Sequence, residues 1–471
     1  MKLYFKGAWR GGDELIEVIN PFDGQIVDTV PRATAQDVEE AIESAQRGAE
    51  DMKSLTGYER FEILSRATAL IRQRADEIAR TLSLEEGKPL AEALFEVDRS
   101  AQTLELSGEE AKRLSGEVLP LDGGKGVKNK LGFTLRVPCG VIAAIAPFNF
   151  PLNLVCHKVG PAIAAGNSVI LKPASDTPLV SLKLVEILLE AGLPPLGISC
   201  LTGSGSLIGE KICSDPRVRK ISFTGSKEVG ERICAVAGLK KVTMELGSNC
   251  PLVVLPDADL DEVANLAVSS AYTNAGQVCI SAQRLIVMES VREALIETMK
   301  PKVEALKVGD QLLEETGIGP MVRKSDASRV ESWIQEAVGD GAQLVCGGER
   351  DGTLMQPTLL DGATPDMRVC REELFGPAVS VMSVSSIDEA IRLANDTEFG
   401  LSAGLFTKDI DAAMRFAREV DSGNIHINWG PLWRTDAMPY GGMKGSGMGK
   451  EGPKYAIEEM TEMKSVVIHS K

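Results

Sequence analysis

What most constrains this chain is a repeated alternation of short apolar runs with amphipathic segments that carry their own start and stop signals. The runs "CGVIAAIAP", "NSVILKP", "KISFTGS", "PLVVLP" and "RLIVM" have strand length and apolar residues at consecutive positions, the pattern of strands in a mainly parallel sheet. Helical segments accompany them. In "TAQDVEEAIESA", Thr34 stands as N-cap with Asp37 three residues on, and Val38, Ala41, Ile42 and Ala45 recur at helical spacing. In "DTPLVSLKLVEILLEAGLP", Thr177 reads as the cap, Pro178 as the first helical position and Gly192 as the residue just past the end. Strands and helices alternating at this interval predict βαβ units and an α/β fold.

A second alternating set begins near residue 250. It holds "AVSVMSV", the helix "SIDEAIRLAND" with Ser386 and Glu389 as a capping box, "AGLFTKD", a helix from about Ile410 to Val420, and "GNIHIN". Two α/β sets predict two domains with a cleft between them. Around residues 116 to 136 a glycine-turned hairpin interrupts the first set. The final "EEMTEMKSVVIHS" ends on a strand-like run that could pair with that hairpin or with another subunit.

Composition narrows the function. The 471 residues are 44% hydrophobic and 25% charged, which suits two or three packed units of an ordinary globular protein. A net charge of −16 argues against a nucleic-acid partner, because phosphate binding needs a basic face. No secretory leader pattern and no run of about 18 apolar residues is present, so the expected location is the cytoplasm, away from any membrane. The nine cysteines show no CxxC spacing, and only three histidines occur, so neither a disulfide framework nor a metal site is expected. A cysteine nucleophile in such a chain needs an activator other than histidine.

Five stretches can carry chemistry. "NAGQVCIS" sets Cys279 in a small-residue loop. "MELGSN" puts Glu245 at the end of a β-compatible run, where burial should raise its pKa toward that of a general base; a salt-bridged glutamate is the plainer reading. "APFNFP" holds Asn149 in a proline-bounded loop that either points an amide at an oxyanion or is a simple turn. "ILKPAS" and "FTGSKEVG" place Lys172 and Gly225-Ser226 at strand ends, where they could hold ribose or pyrophosphate, or be ordinary surface and turn residues.

Together the ordered motifs "APFNFP", "GNSVILKPAS", "FTGSKEVG", "MELGSN", "NAGQVC", "EELFGP" and "MPYGGMKGSGMGKEG" resemble the aldehyde dehydrogenase superfamily over essentially the whole length. The resemblance implies two Rossmann-like α/β domains plus a small β oligomerisation element. The cofactor-binding domain would comprise 1–117 and 139–249, with 443–459 packing back, the catalytic domain 250–442, and the bridging element 118–138 and 460–471. It implies that Cys279 attacks an aldehyde, that the Asn149 amide and the Cys279 N–H hold the oxyanion, and that Glu245 activates the water that hydrolyses the thioester. Lys172 would meet the adenosine ribose, Gly225 and Ser226 the pyrophosphate, and Glu373 and Phe375 the nicotinamide ribose, with Phe148 and Ser175 also at the cofactor. A homodimer or homotetramer is implied.

Departures from the family refine this. Ser175 stands where relatives strict for NAD often carry glutamate, so the expected cofactor is NAD or NADP, with NADP accepted. Val278 stands where relatives acting on glyceraldehyde 3-phosphate tend to carry arginine, which weakens a phosphorylated substrate. CoA-acylating relatives lack the glutamate that Glu245 supplies, so hydrolysis to the free acid is favoured over that alternative. Arg99, His157, Trp433 and Arg434 would approach the substrate tunnel and favour a short polar or anionic aldehyde of the lactaldehyde, glycolaldehyde or semialdehyde type. Two readings from other classes remain, a cofactor-free cysteine esterase or thioesterase and an inactive binding protein.

Overall fold

A computed structural model describes residues 1–470; Lys471, the last residue of the expected bridging element, lies outside the described residues. The apolar runs form two open sheets. In the first, Ile198–Cys200, Ser168–Lys172, Val141–Ile145, Val218–Thr224 and Lys241–Glu245 lie side by side and parallel, with antiparallel strands at both edges. Every residue of Val141–Ile145 and Ser168–Lys172 is buried, which explains why these runs do not alternate. The chain moves outward from Val141–Ile145 in one direction to residue 200, then returns to add Val218–Thr224 on its other side. That reversal opens a crevice at the carboxyl ends of the two central strands, the place where open α/β sheets bind ligands.

The second sheet orders Gln343–Cys346, Thr358–Asp361, Ala378–Val384, Ala282–Met288, Cys250–Val254, Ser402–Phe406 and Asn424–Ile427, and only Gln343–Cys346 runs antiparallel. Cys279 and Glu373 precede strands of this sheet, so its amino-terminal edge faces the carboxyl-terminal edge of the first. The C-terminal strand Thr461–His469 pairs antiparallel with Lys130–Pro138 of the same chain over nine residues, the hairpin pairing the sequence allowed, and its other side is an edge of the sheet. Strand Gly447–Met448 joins the first sheet beside Lys241–Glu245.

Local signals mostly hold. Thr34 and Asp37 form a full capping box for Ala35–Ser54, and Gly192 adopts φ +99 just past Leu179–Glu190. The start of that last helix differs. Thr177 is not its cap, and Pro178 sits at the N-cap rather than at the first helical position. The buried Glu85 carboxylate accepts the N–H groups of Leu179 (2.7 Å) and Val180 (2.9 Å) instead, a tertiary cap that also faces the helix dipole.

Candidate active site

Two spaces meet at Cys279, a groove and a cavity. A groove runs along the carboxyl edge of the first sheet in two lobes. The outer lobe, about 480 Å³, is walled by Lys172, Ser175, Gly225, Ser226 and Phe148, among others. The inner lobe, about 470 Å³, shares Phe148, Gly225 and Ser226 and adds Asn149, Glu245, Glu373, Phe375 and Cys279. On the other side of Cys279 lies a cavity of about 310 Å³ walled by Arg99, Trp433 and Arg434 with Phe95, Phe150, Trp429 and Tyr440. The sulfur thus stands where the two sides join.

Backbone geometry presents it there. Asn274, Ala275 and Gly276 take φ of 52°, 53° and 69° in succession, left-handed conformations that cost energy for the two residues with a Cβ. A Cβ on Gly276 would lie 2.1 Å from the Gly376 carbonyl oxygen, so only glycine fits. Asn274 is held by its N–H to Glu92 Oε2 (3.0 Å) and by its amide to Glu86 Oε1 (2.9 Å) and the Asn149 carbonyl (3.1 Å). The same carbonyl accepts Lys88 Nζ at 2.8 Å. In return, Asn149 Nδ2 donates to the Gln277 carbonyl at 2.8 Å, which ties its loop to that of Cys279 and leaves the amide's second hydrogen for another acceptor.

The electrostatics separate two carboxylates. Glu245 is buried with no hydrogen-bond partner for either oxygen among the described residues, and a Cβ on Gly441 would sit 2.7 Å from its Oε1. Burial, then the charge of Glu451, raises its pKa well above the usual carboxylate range. Burial acts the same way on Glu451, but Lys158 (2.8 Å) and Arg434 (3.3 Å) outweigh it and hold that carboxyl at about 2. The Cys279 thiol is itself pushed up to about 12 by burial, with Tyr440 Oη at 3.3 Å opposing and Glu373 and Glu245 adding. Burial raises the other eight thiols too, so position, not acidity, sets Cys279 apart.

The groove suits a dinucleotide. Lys172, drawn down to about 8 by burial, has Nζ at the groove wall and, among the described residues, donates only to its neighbour's carbonyl at 3.0 Å. Ser175 donates to the Gly203 carbonyl at 3.0 Å and offers no negative charge. Gly225 and Ser226 stand at the N-terminus of helix Lys227–Ala237, which favours anions. Glu373 accepts Ser248 N–H at 2.9 Å, and burial brings its pKa to about 7. A Cβ on Gly247 would lie 2.3 Å from Glu373 Oε2, so that glycine makes room for the carboxylate. Phe375, at φ 50°, meets Phe148 edge-on at 5.9 Å.

The aldehyde side requires one correction. Arg99, Trp433 and Arg434 line the cavity, but His157 does not: it is wholly buried behind Arg434. Its Nε2 lies 2.9 Å from Asp436 Oδ1 and 3.0 Å from Arg434 Nη2, and burial followed by the Arg434 charge lowers its pKa. The helix Asn153–Ala164 turns that side chain into the core, where it braces the arginine. Asp436 also receives Arg99 Nη2 at 2.6 Å. Two residues of this cavity carry weight that motif reading alone did not assign. Tyr440 was visible only as one letter of "MPYGG". Glu92 lies far from any motif, and only the fold brings it to Asn274.

The groove, the Cys279 thiol and the buried Glu245 carboxyl lie together where the two sheets face each other, and comparison with known proteins gives the class its name. The chain belongs to the aldehyde dehydrogenase family, whose model matches residues 9–466, and it is an NAD(P)-dependent aldehyde dehydrogenase. It is similar to a 3-sulfolactaldehyde dehydrogenase of Priestia aryabhattai, 48% identical over 99% of this chain and 98% of that one. A lactaldehyde dehydrogenase of Methanococcus aeolicus is 38% identical over 100% of both chains. Among solved structures, glyceraldehyde-3-phosphate dehydrogenase of Methanocaldococcus jannaschii complexed with NADP matches with a TM-score of 0.94 and 38% identity, covering 97% of this chain and 99% of that one.

Proposed function

We propose that the chain oxidises a short polar or anionic aldehyde, of the lactaldehyde, glycolaldehyde or semialdehyde type, to its carboxylic acid through a covalent adduct on Cys279. The observation that carries this reading is the pair Arg99 and Arg434 in the wall of the cavity that ends on Cys279. Counting nearby charges, Arg99, Arg434 and Lys158 face the ionised Asp436 and Glu451, while burial raises the pKa of Glu92 in the same wall to about 7 and that of Glu245 well above the usual carboxylate range. A net positive charge is left for an anion. The sulfolactaldehyde and lactaldehyde relatives support the same substrate class.

In this mechanism the Cys279 thiolate adds to the aldehyde carbon. The Asn149 amide and the Cys279 N–H hold the oxygen, and each such donor is worth about 100- to 1000-fold in rate. A nicotinamide cofactor in the groove supplies the hydride acceptor that turns the adduct into a thioester on Cys279. Lys172 and Ser226 would hold its adenosine half, and Glu373 its nicotinamide ribose. Glu245 then takes a proton from water, which attacks the thioester and frees the acid. A carboxylate base fits a site with no histidine in its walls among the described residues. Esterase or CoA-transfer readings leave the groove or Glu245 without a task.

Replacing Arg434 with leucine should raise KM for an anionic or hydroxylated aldehyde by tenfold or more, and for propanal far less, about the value of one desolvated charge contact. An equal rise in KM for both substrates in steady-state assays would contradict the substrate assignment. Ser175→Glu should raise KM for NADP about tenfold while leaving NAD in use, because a carboxylate repels the 2′-phosphate. Unchanged selectivity between the two cofactors would remove Ser175 from the cofactor argument.

The domain division given above is supported by the two sheets and by the Thr461–His469 pairing. Exposed Val118, Leu131, Leu135, Met463 and Ile468 on the three-stranded sheet support a homodimer or homotetramer that covers them.

A further inference from the structure

Tyr440 touches the nucleophile directly. Its hydroxyl lies 3.3 Å from Cys279 Sγ and makes no other hydrogen bond among the described residues. Its ring is fixed from two sides. The backbone groups of Tyr440 and Glu451 pair reciprocally, N–H to carbonyl, at 3.1 and 2.7 Å. Arg434, held by the Glu451 carboxylate at 3.3 Å, stacks on the ring face with its guanidinium carbon 3.7 Å from the centroid. Apolar Cys250, Val278, Ile280 and Leu401 pack with the ring in one cluster, and the Glu245 carboxyl is the other charge close enough to act on it. A tyrosine in such a pocket normally buries its hydroxyl only against a partner, and the partner here is the reacting sulfur.

We propose that Tyr440 is a further catalytic residue whose hydroxyl donates a hydrogen bond to the Cys279 sulfur whenever it carries negative charge. Two moments qualify. Before attack, the bond favours the thiolate over the thiol. During thioester hydrolysis, water adds to the carbonyl carbon as Glu245 takes its proton, the C–S bond breaks and the electron pair returns to Sγ, where the same hydroxyl receives it. The phenol stays protonated throughout, because burial first, and then the neighbouring thiolate, raise its pKa above the usual value. The cation on the ring face strengthens the O–H as a donor without competing for the sulfur. Arg434 therefore acts on the sulfur through Tyr440 as well as on the aldehyde cavity.

The proposal rests on Cys279 being the nucleophile, and its test needs neither aldehyde nor cofactor. The second-order rate of alkylation of Cys279 by iodoacetamide, read from the mass of its tryptic peptide, is measured between pH 7 and 9.5 in wild type and in Tyr440→Phe. Phenylalanine keeps the ring in its apolar pocket and under Arg434. The variant should react about tenfold more slowly at every pH in this range, the effect of removing one hydrogen bond to a charged group. In turnover it should lower kcat with propanal as well as with an anionic aldehyde, with little change in KM for propanal. Equal or faster alkylation of the variant overturns the proposal. If wild-type Cys279 resists alkylation at pH 9.5 while free cysteine reacts, the nucleophile reading fails first and the proposal with it.

Discussion

Cys279→Ala should abolish oxidation of every aldehyde, lowering the initial rate of cofactor reduction at least roughly 10⁴-fold. The loss should be confined to chemistry. The groove lined by Lys172, Ser226 and Glu373 is built by other elements, so cofactor affinity, read by fluorescence titration, should stay within about threefold. Alanine removes only the sulfur from a loop whose shape is set by Asn274–Gly276 and their contacts to Glu86 and Glu92. Five of the eight remaining cysteines are buried and three half-buried, none in the walls where the groove and the aldehyde cavity meet, so none can substitute. Retained turnover above a hundredth of wild type would place the reacting thiol elsewhere.

Glu245→Gln should separate the two halves of the reaction. Thioester formation does not need the base, so the variant should release about one equivalent of reduced cofactor per site in a burst. Steady turnover should then fall by about 10² to 10⁴, and intact mass should show the acyl group on Cys279. Its pH behaviour carries a definite sign. A base works only when deprotonated, and burial beside Glu451 raises the Glu245 pKa well above the ordinary value. Wild-type turnover under hydrolysis-limited conditions should therefore rise with pH through that raised pKa, well above the range of an exposed glutamate. Glutamine at this position should remove that limb. A variant with no burst would assign Glu245 to the first step instead, and an unchanged pH profile would mean another group limits hydrolysis.

How much of this was legible before the structure depends on the range of the interaction. The strands of the first sheet, the capping box at Thr34 and the site residues at strand ends were readable because apolar runs and local caps are written within a few consecutive residues. The burial of Glu245 was readable for the same reason: a carboxylate ending a buried strand has little solvent wherever the strand packs. The helix at Leu179–Glu190 was misread at its start because Glu85, 94 residues away from Leu179, supplies the cap in place of the adjacent Thr177. His157 carried the right chemistry for a substrate contact but the wrong face of its helix, and only packing decides that face. The left-handed run at Asn274–Gly276 left no trace beyond its small residues, since Glu92 and Glu86 reach Asn274 from 182 and 188 residues earlier. Tyr440 was present in a motif, yet its role depends on a distance to Cys279 that no spacing encodes.

The most direct test of the whole account is the initial rise in absorbance at 340 nm with a panel of aldehydes, each run with NAD and with NADP. The panel runs from propanal through lactaldehyde, glycolaldehyde and succinic semialdehyde to glyceraldehyde 3-phosphate. The account predicts the highest kcat/KM for a short hydroxylated or anionic member without a phosphate, with NADP accepted. A preference for propanal, or for glyceraldehyde 3-phosphate, would contradict it, and no reduction of either cofactor with any member would contradict the reaction itself.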